Sequence, residues 1–145
     1  MAETFGSLCD KLTILKLKQF HSSDATRLAS LDAQEIQLKE EIDAYLNAAL
    51  SGAIPKEKLI FEANKVFKKE GNETRDFNGD AGSVISSLAN INCELWHEQE
   101  KVYEFEKVPP DEKDKVVKRL AILNLERNKC IDELNRQLAQ MAEKA

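Results

Sequence analysis

The chain has 145 residues, of which 32% are charged and 6% aromatic, and its formal net charge at pH 7 is −5. This length suits one compact domain, and no shift in composition divides residues 1–145 into two. A net negative charge repels a phosphate backbone, so we expect no general binding to nucleic acid. No apolar run approaches the ~20 residues that a membrane-spanning helix needs, so we expect no membrane span.

The three cysteines, Cys9, Cys93 and Cys130, are odd in number and far apart along the chain. This spacing favours neither a disulfide framework nor a zinc knuckle, and reduced thiols are the simplest interpretation. No signal segment is recognisable near the start of the sequence. We therefore predict a soluble, cytoplasmic protein.

A composition rich in Ala, Leu, Glu and Lys, with only five Gly and three Pro, predicts an all-α fold. The first predicted helix runs from Ser7 to Phe20, with Ser7 as its N-cap and Asp10 completing a capping box. A polar break after Phe20 supplies new capping residues, so a second helix follows it and continues to Leu50. Ser51 and Gly52 end this second helix.

Pro55 fits the first position of a short third helix that carries Leu59, Phe61, Ala63, Val66 and Phe67. The glycine-bearing polar stretch 71–82 predicts a flexible loop.

A fourth helix begins near Ser83, and Val108 with the two prolines after it stops this helix. Asp111 then caps a final helix that extends nearly to the C-terminus. The sequence therefore predicts an antiparallel bundle of four long helices and one short helix.

Two charged residues fall on apolar stripes of the predicted helices. Arg127 lies on the stripe of the final helix, and Glu35 lies between Leu31 and Leu38 on the second helix. An unpaired ion in a protein interior costs several kcal/mol or more. We therefore expect Glu35 and Arg127 to contact each other or a bound ligand.

Further polar side chains should lie at a similar depth in the bundle. Asn92, Trp96 and Gln99 follow one another along the fourth helix, and Asn124 accompanies Arg127 on the final helix. Asp10 and Lys11 on the first helix could reach the same neighbourhood. Such a polar layer could hold a carboxylate, a phosphate or a sugar hydroxyl, or could be an internal network that fixes helix register. The second use is the commoner one.

Other spacings fall short of known chemistry. Glu94 and His97 form half of a di-iron ligand set, and Cys93 with His97 lacks the partners of a catalytic thiol. The loop residues Asp76, Asn78 and Asp80 match only the start of a calcium loop. We predict no catalytic residue, no metal site and no cofactor.

Three segments together resemble a family of small bacterial helical proteins, a domain of unknown function. These are residues 6–15 (GSLCDKLTIL), residues 92–96 (NCELW) and residues 124–127 (NLER), with Asn135 further on. The resemblance implies an all-helical fold and implies that six residues belong together, namely Asp10, Lys11, Asn92, Trp96, Asn124 and Arg127. The chain departs from the family pattern at Leu125, at residues 97–99 and in a longer 52–83 stretch.

We predict a non-enzymatic binding or protein-interaction bundle that self-associates, with a dimer favoured. The ligand at the polar layer would be small and anionic or sugar-like. The alternative is a small hydrolase or transferase that acts on a phosphorylated or sugar-like molecule held at the same layer. An open pocket lined by Arg127, Asn92 and Trp96 would favour small-molecule binding, whereas an enclosed Arg127–Glu35 pair without a cavity would favour a scaffold.

Overall fold

The computed structural model describes residues 2–62 and 73–145. Within these ranges the protein is all-helical and contains no β-strand. The described residues form four α-helices, α1 (Phe5–Phe20), α2 (Ala25–Ser51), α3 (Ala81–Tyr103) and α4 (Lys113–Lys144). None of the helices in the described ranges is long and apolar enough to cross a membrane.

Helix α1 begins two residues before its predicted start. Thr4 is the N-cap: its hydroxyl accepts a hydrogen bond from the Ser7 N–H, while the Thr4 N–H donates to the Ser7 hydroxyl. Ser7 is therefore the third helical residue and not the cap, and Asp10 plays no part in the capping box. A capping box needs a hydroxyl followed three residues later by a side-chain acceptor. Thr4 with Ser7 meets this requirement, and so does the predicted pair of Ser7 with Asp10, so the pattern alone does not distinguish them.

The ends of helix α2 agree with the prediction to within one residue. Asp24 caps it by accepting a hydrogen bond from the Arg27 N–H at 2.9 Å. Gly52 ends it with φ at +84°, a left-handed conformation that glycine adopts without steric cost.

The described part of the predicted third helix is a single 3₁₀ turn, Lys56–Lys58, which follows Pro55. Leu59 is buried after this turn, whereas Phe61 is exposed. Ala63, Val66 and Phe67 lie outside the described residues, as do residues 71 and 72 of the predicted loop. Residues 73–80 are irregular, and the flexibility expected of this loop stays a prediction.

The connection between α3 and α4 differs from the prediction in detail. Helix α3 starts at Ala81, ends at Tyr103, and is followed by a second 3₁₀ turn, Phe105–Lys107. Asp111 lies in the turn that precedes α4 and does not cap it, because Glu112 takes the N-cap position without a side-chain cap. Proline still separates the two helices, as predicted.

Three of the helices share the main core. Seven buried side chains from α1, α3 and α4 pack together there: Cys9, Val84, Leu88, Ile91, Leu123, Cys130 and Leu134. A second cluster joins the end of α2 and the 3₁₀ turn to the end of α4. Helix α2 also packs along α1. Lys16 bonds Glu35 and Gln19 bonds Asp32, so residue numbers rise along α1 as they fall along α2, and the two helices are antiparallel.

Helices α1 and α4 approach closely and also run in opposite directions. The Gly6 N–H donates to Asn135 Oδ1 at 2.7 Å, and four residues later Asp10 contacts Arg127. A Cβ atom on Gly6 would lie 2.3 Å from the Ile131 carbonyl oxygen. Only glycine therefore permits this approach, which sets the depth at which Asp10 enters the helix interface.

Candidate ligand-binding groove

Arg127 lies on α4 and forms a two-pronged ion pair with Asp10 on α1. Its Nε donates to Asp10 Oδ1 at 2.8 Å and its Nη2 donates to Oδ2 at 2.5 Å. The Asp10 side chain is 6% exposed, whereas the Arg127 side chain is 32% exposed. These hydrogen bonds to Asp10 raise the pKa of Arg127 above its ordinary value, although burial acts the other way. The guanidinium therefore stays charged.

Asn92 on α3 completes the polar layer. Its amide nitrogen donates to Asp10 Oδ1 at 2.9 Å and to the Thr13 hydroxyl at 2.8 Å. The Thr13 hydroxyl in turn donates to the Asp10 carbonyl oxygen, one turn back along α1. One buried carboxylate thus gathers donors from two other helices, which fixes their register relative to α1.

The expected contact between Glu35 and Arg127 is wrong. Glu35 on α2 accepts a hydrogen bond from Lys16 Nζ at 2.8 Å, on the exposed side of α1. That bond lowers the pKa of Glu35. Helix α2 packs mainly against α1, so its central carboxylate meets the outer lysine of α1 and does not reach α4. Arg127 instead takes its partner from α1 itself.

Beside the Asp10–Arg127 pair lies an open groove of about 500 Å³. Helices α1, α3 and α4 line it through eleven residues: Ile14, Leu17, His21, Asn92, Leu95, Trp96, Gln99, Glu100, Tyr103, Asn124 and Arg127. Five of the eight predicted polar-layer residues therefore meet here. This volume falls in the range of pockets that bind small molecules.

Aromatic rings form one wall of the groove. The His21 ring stacks on Trp96, with centroids 4.7 Å apart and planes 17° apart. His21 Nδ1 lies 2.9 Å from the Leu17 carbonyl oxygen, which can only accept, so this nitrogen carries the proton. The hydrogen bond anchors the imidazole at the end of α1. His97 contacts the edge of His21, with ring centroids 6.2 Å apart.

The remaining predicted site residues divide into two groups. Gln99 and Asn124 line the groove, and in the described part of the chain neither side chain has a hydrogen-bond partner. Lys11 does not join them, because it is exposed and pairs with Glu3 at 2.9 Å. The side chain of residue 11 points away from that of residue 10, as neighbouring helix positions do.

Sequence reasoning missed Thr13 and His21 as part of this layer. Thr13 follows Asp10 by three residues on α1, and His21, the residue that caps the C-terminal end of α1, follows Asp10 by eleven, which correspond to about one and three helical turns. A search for polar residues in phase with Asp10, extended one residue beyond Phe20, would have found them.

Sequence reasoning also missed a second ionic network on α4. Glu126 is 3% exposed and accepts three hydrogen bonds from Arg75, one from the backbone N–H and two from the guanidinium. Burial raises the pKa of Glu126, but the bonds from Arg75 outweigh it and leave that pKa below its ordinary value. Lys129 and Gln137 also bond segment 73–80, so this stretch is fastened along α4.

Among the described residues, no group of three or more His, Cys, Asp and Glu side chains is placed to hold a metal ion. The thiols of Cys9 and Cys130 are buried, which raises the pKa of each to about 11. Comparisons with family models, curated proteins and solved structures found no match. The resemblance to a family of small helical proteins therefore stays a prediction.

Proposed function

We propose that this protein binds a small molecule in the groove beside Arg127, and that binding rather than a chemical step is its role. The observation that carries the proposal is the position of Arg127. A guanidinium has five N–H donors, of which Asp10 takes two, so three remain. In the described part of the chain these three have no acceptor, and the side chain lines an open groove.

The rest of the groove supports the same proposal. Its walls combine apolar and aromatic side chains with a few convergent polar groups, the composition of sites for small organic ligands. Asp10 holds Arg127 by two parallel bonds, so a ligand meets a donor that is already oriented. Preorganisation of this kind lowers the entropic cost of binding.

Trp96 gives a direct test, because it is the only tryptophan in the chain and lines the groove. A ligand in the groove should change its fluorescence in a saturable way during titration. Asn124→Ala should weaken that binding, since this exposed side chain faces the groove without an internal partner. The matched control is Asn47→Ala, an exposed asparagine on α2 that does not line the groove. Equal affinity in the two variants would refute the proposed site.

Mass spectrometry of a bound compound separates this proposal from the hydrolase or transferase alternative. We expect the compound to be recovered unchanged after prolonged incubation with the protein. A product that forms with the wild type and not with Asn124→Ala would establish turnover in the groove and refute a role in binding alone.

We further propose that the protein is a cytoplasmic dimer. The free thiols of all three cysteines support a reducing compartment. Exposed apolar side chains on α1 and α2 support self-association, above all Phe20 at 85% and Ile36 at 61% exposure. Light scattering should give twice the mass of the chain, and Phe20→Ser should lower it. A monomeric wild type at micromolar concentration would refute the dimer.

A further inference from the structure

We infer that the groove takes an uncharged, hydroxyl-bearing ring, namely a sugar or glycoside, in preference to a phosphorylated or carboxylated compound. This inference rests on the proposed function, because it names the ligand class of the same groove. It follows from the charge around Arg127 and from the shape of the lining side chains.

Asp10 already neutralises Arg127, the one arginine among the described residues that line the groove. Both of its carboxylate oxygens lie within 2.8 Å of guanidinium nitrogens, and the pair is largely buried on the Asp10 side. An anionic ligand at the free N–H groups of Arg127 would therefore lie close to a second, poorly solvated negative charge. Repulsion between like charges is strongest where water is excluded. A hydroxyl oxygen accepts from the same N–H groups without that penalty.

Glu100 adds a further negative charge to that of Asp10. It lines the groove and is about half exposed, with His97 Nδ1 3.3 Å from its carboxylate. The net charge of the whole chain is −5, so no long-range attraction draws anions towards the site. The Glu100 carboxylate can accept a hydrogen bond from a sugar hydroxyl, whereas it repels a negatively charged phosphate.

The lining side chains suit a pyranose ring, which has apolar faces and polar edges. The faces of such a ring carry C–H groups that pack on aromatic rings, and the rings of Trp96 and His21, which stack on each other, both line the groove. The ring edges carry hydroxyls that both donate and accept. The amides of Gln99 and Asn124 offer both functions without an internal partner among the described residues, and Arg127 adds donors.

The test is a titration followed by Trp96 fluorescence, with each neutral sugar compared with its own phosphate ester. We would use glucose, galactose, mannose and N-acetylglucosamine, the 6-phosphate of each, and inorganic phosphate. We expect saturable binding of at least one neutral sugar and binding of its 6-phosphate that is about tenfold weaker, which is about 1.4 kcal/mol. The affinity for the neutral sugar should not change between about 50 and about 500 mM salt, since screening acts only on charges.

The variant Asp10→Asn sharpens the comparison, because it leaves the charge of Arg127 unopposed. In this variant the preference for the neutral sugar should shrink or reverse. Far-ultraviolet circular dichroism would first establish that the variant is folded, and the wild-type comparison decides the inference if it is not.

The outcomes separate the two proposals. Wild-type protein that binds a 6-phosphate or inorganic phosphate as tightly as the neutral sugar overturns the sugar inference and leaves the groove as a ligand site. If Trp96 responds to none of these probes but responds in a wider screen to a compound that is neither a sugar nor a glycoside, the sugar inference is likewise overturned and the groove remains a ligand site. A response to no compound at all, in titration or in the screen, overturns both.

Discussion

The Asp10–Arg127 pair predicts an asymmetric response to truncation. Asp10 is almost enclosed, whereas Arg127 is one-third exposed to water. Replacing Arg127 by alanine leaves a buried carboxylate with only the Asn92 amide as a side-chain partner among the described residues. Replacing Asp10 by alanine leaves a guanidinium that water can reach from the groove. Removal of the arginine should therefore cost more stability than removal of the aspartate.

The magnitude follows from the burial of each partner. Breaking a fully buried pair by removing one member costs roughly 3 to 5 kcal/mol. Arg127 is partly exposed, so the attraction lost is smaller, and we expect a cost of about 2 to 4 kcal/mol for Arg127→Ala. For Asp10→Ala we expect about 1 to 2 kcal/mol, the cost of lost hydrogen bonds to a solvated donor. The double variant should lose no more than Arg127→Ala alone, because it removes the unpaired charge as well.

Urea unfolding followed by circular dichroism gives the free energy of unfolding of all four proteins in one double-mutant cycle. The double-variant loss should fall below the sum of the two single losses by at least ~1 kcal/mol. Equal losses in the two single variants, adding without coupling, would show that the carboxylate and the guanidinium are independently solvated. The structural basis of the groove would then be wrong.

Three further predictions concern the packing of the helices and the second ionic network. Gly6→Ala should lower the free energy of unfolding in urea by ~3 kcal/mol or more, because the new Cβ atom would clash with the backbone of α4. The control Gly82→Ala should be neutral or stabilising, because its Cβ atom would meet nothing within 4 Å. Equal effects of the two substitutions would contradict the close approach of α1 and α4. Tyr45→Phe should keep or raise the melting temperature, because the buried Tyr45 hydroxyl lacks a partner in the described residues; a loss of several degrees would contradict this. Glu126 has a lowered pKa through Arg75, so its contribution to stability is complete above its ordinary value of 4.5 and is lost as the pH falls below it. Glu126→Gln should flatten the fall in melting temperature below that pH, and an unchanged slope would contradict the assignment.

Helix positions in this chain follow from local sequence more closely than helix caps do. The ends of α2 are readable because Asp24 and Gly52 each satisfy a requirement of the backbone beside them. The start of α1 is less clear, since Thr4 and Ser7 both have hydroxyls and both precede a suitable partner. The start of α4 differs from the prediction because the turn before it continues one residue beyond Asp111.

Part of the membership of the candidate site was predictable from the sequence, but its ion pairing was not. A charge on an apolar stripe identifies Arg127 as a partly buried ion that needs a partner, since burial without one is too costly. Which carboxylate pairs with Arg127 depends on which helices pack against each other. The hydrophobic periodicity of each helix contains no information on that arrangement. Glu35 shares a face of α2 with Leu31 and Leu38, yet α2 packs mainly against α1, and Glu35 pairs with Lys16 on that helix. The bonds from Arg75 to Glu126 span 51 positions along the chain and leave no local signal.

Helix α1 links the stability of the fold to the proposed binding of a ligand. Its first turn packs on α4 through Gly6, its next turn supplies Asp10, and its last residues precede the His21 that stacks on Trp96. A ligand between Arg127 and the aromatic wall would therefore contact all three helices of the core at once. Because a ligand that binds only the folded state adds stability, occupancy of the groove should raise the unfolding free energy of the whole chain by about 2.7 kcal/mol at a hundred times its Kd.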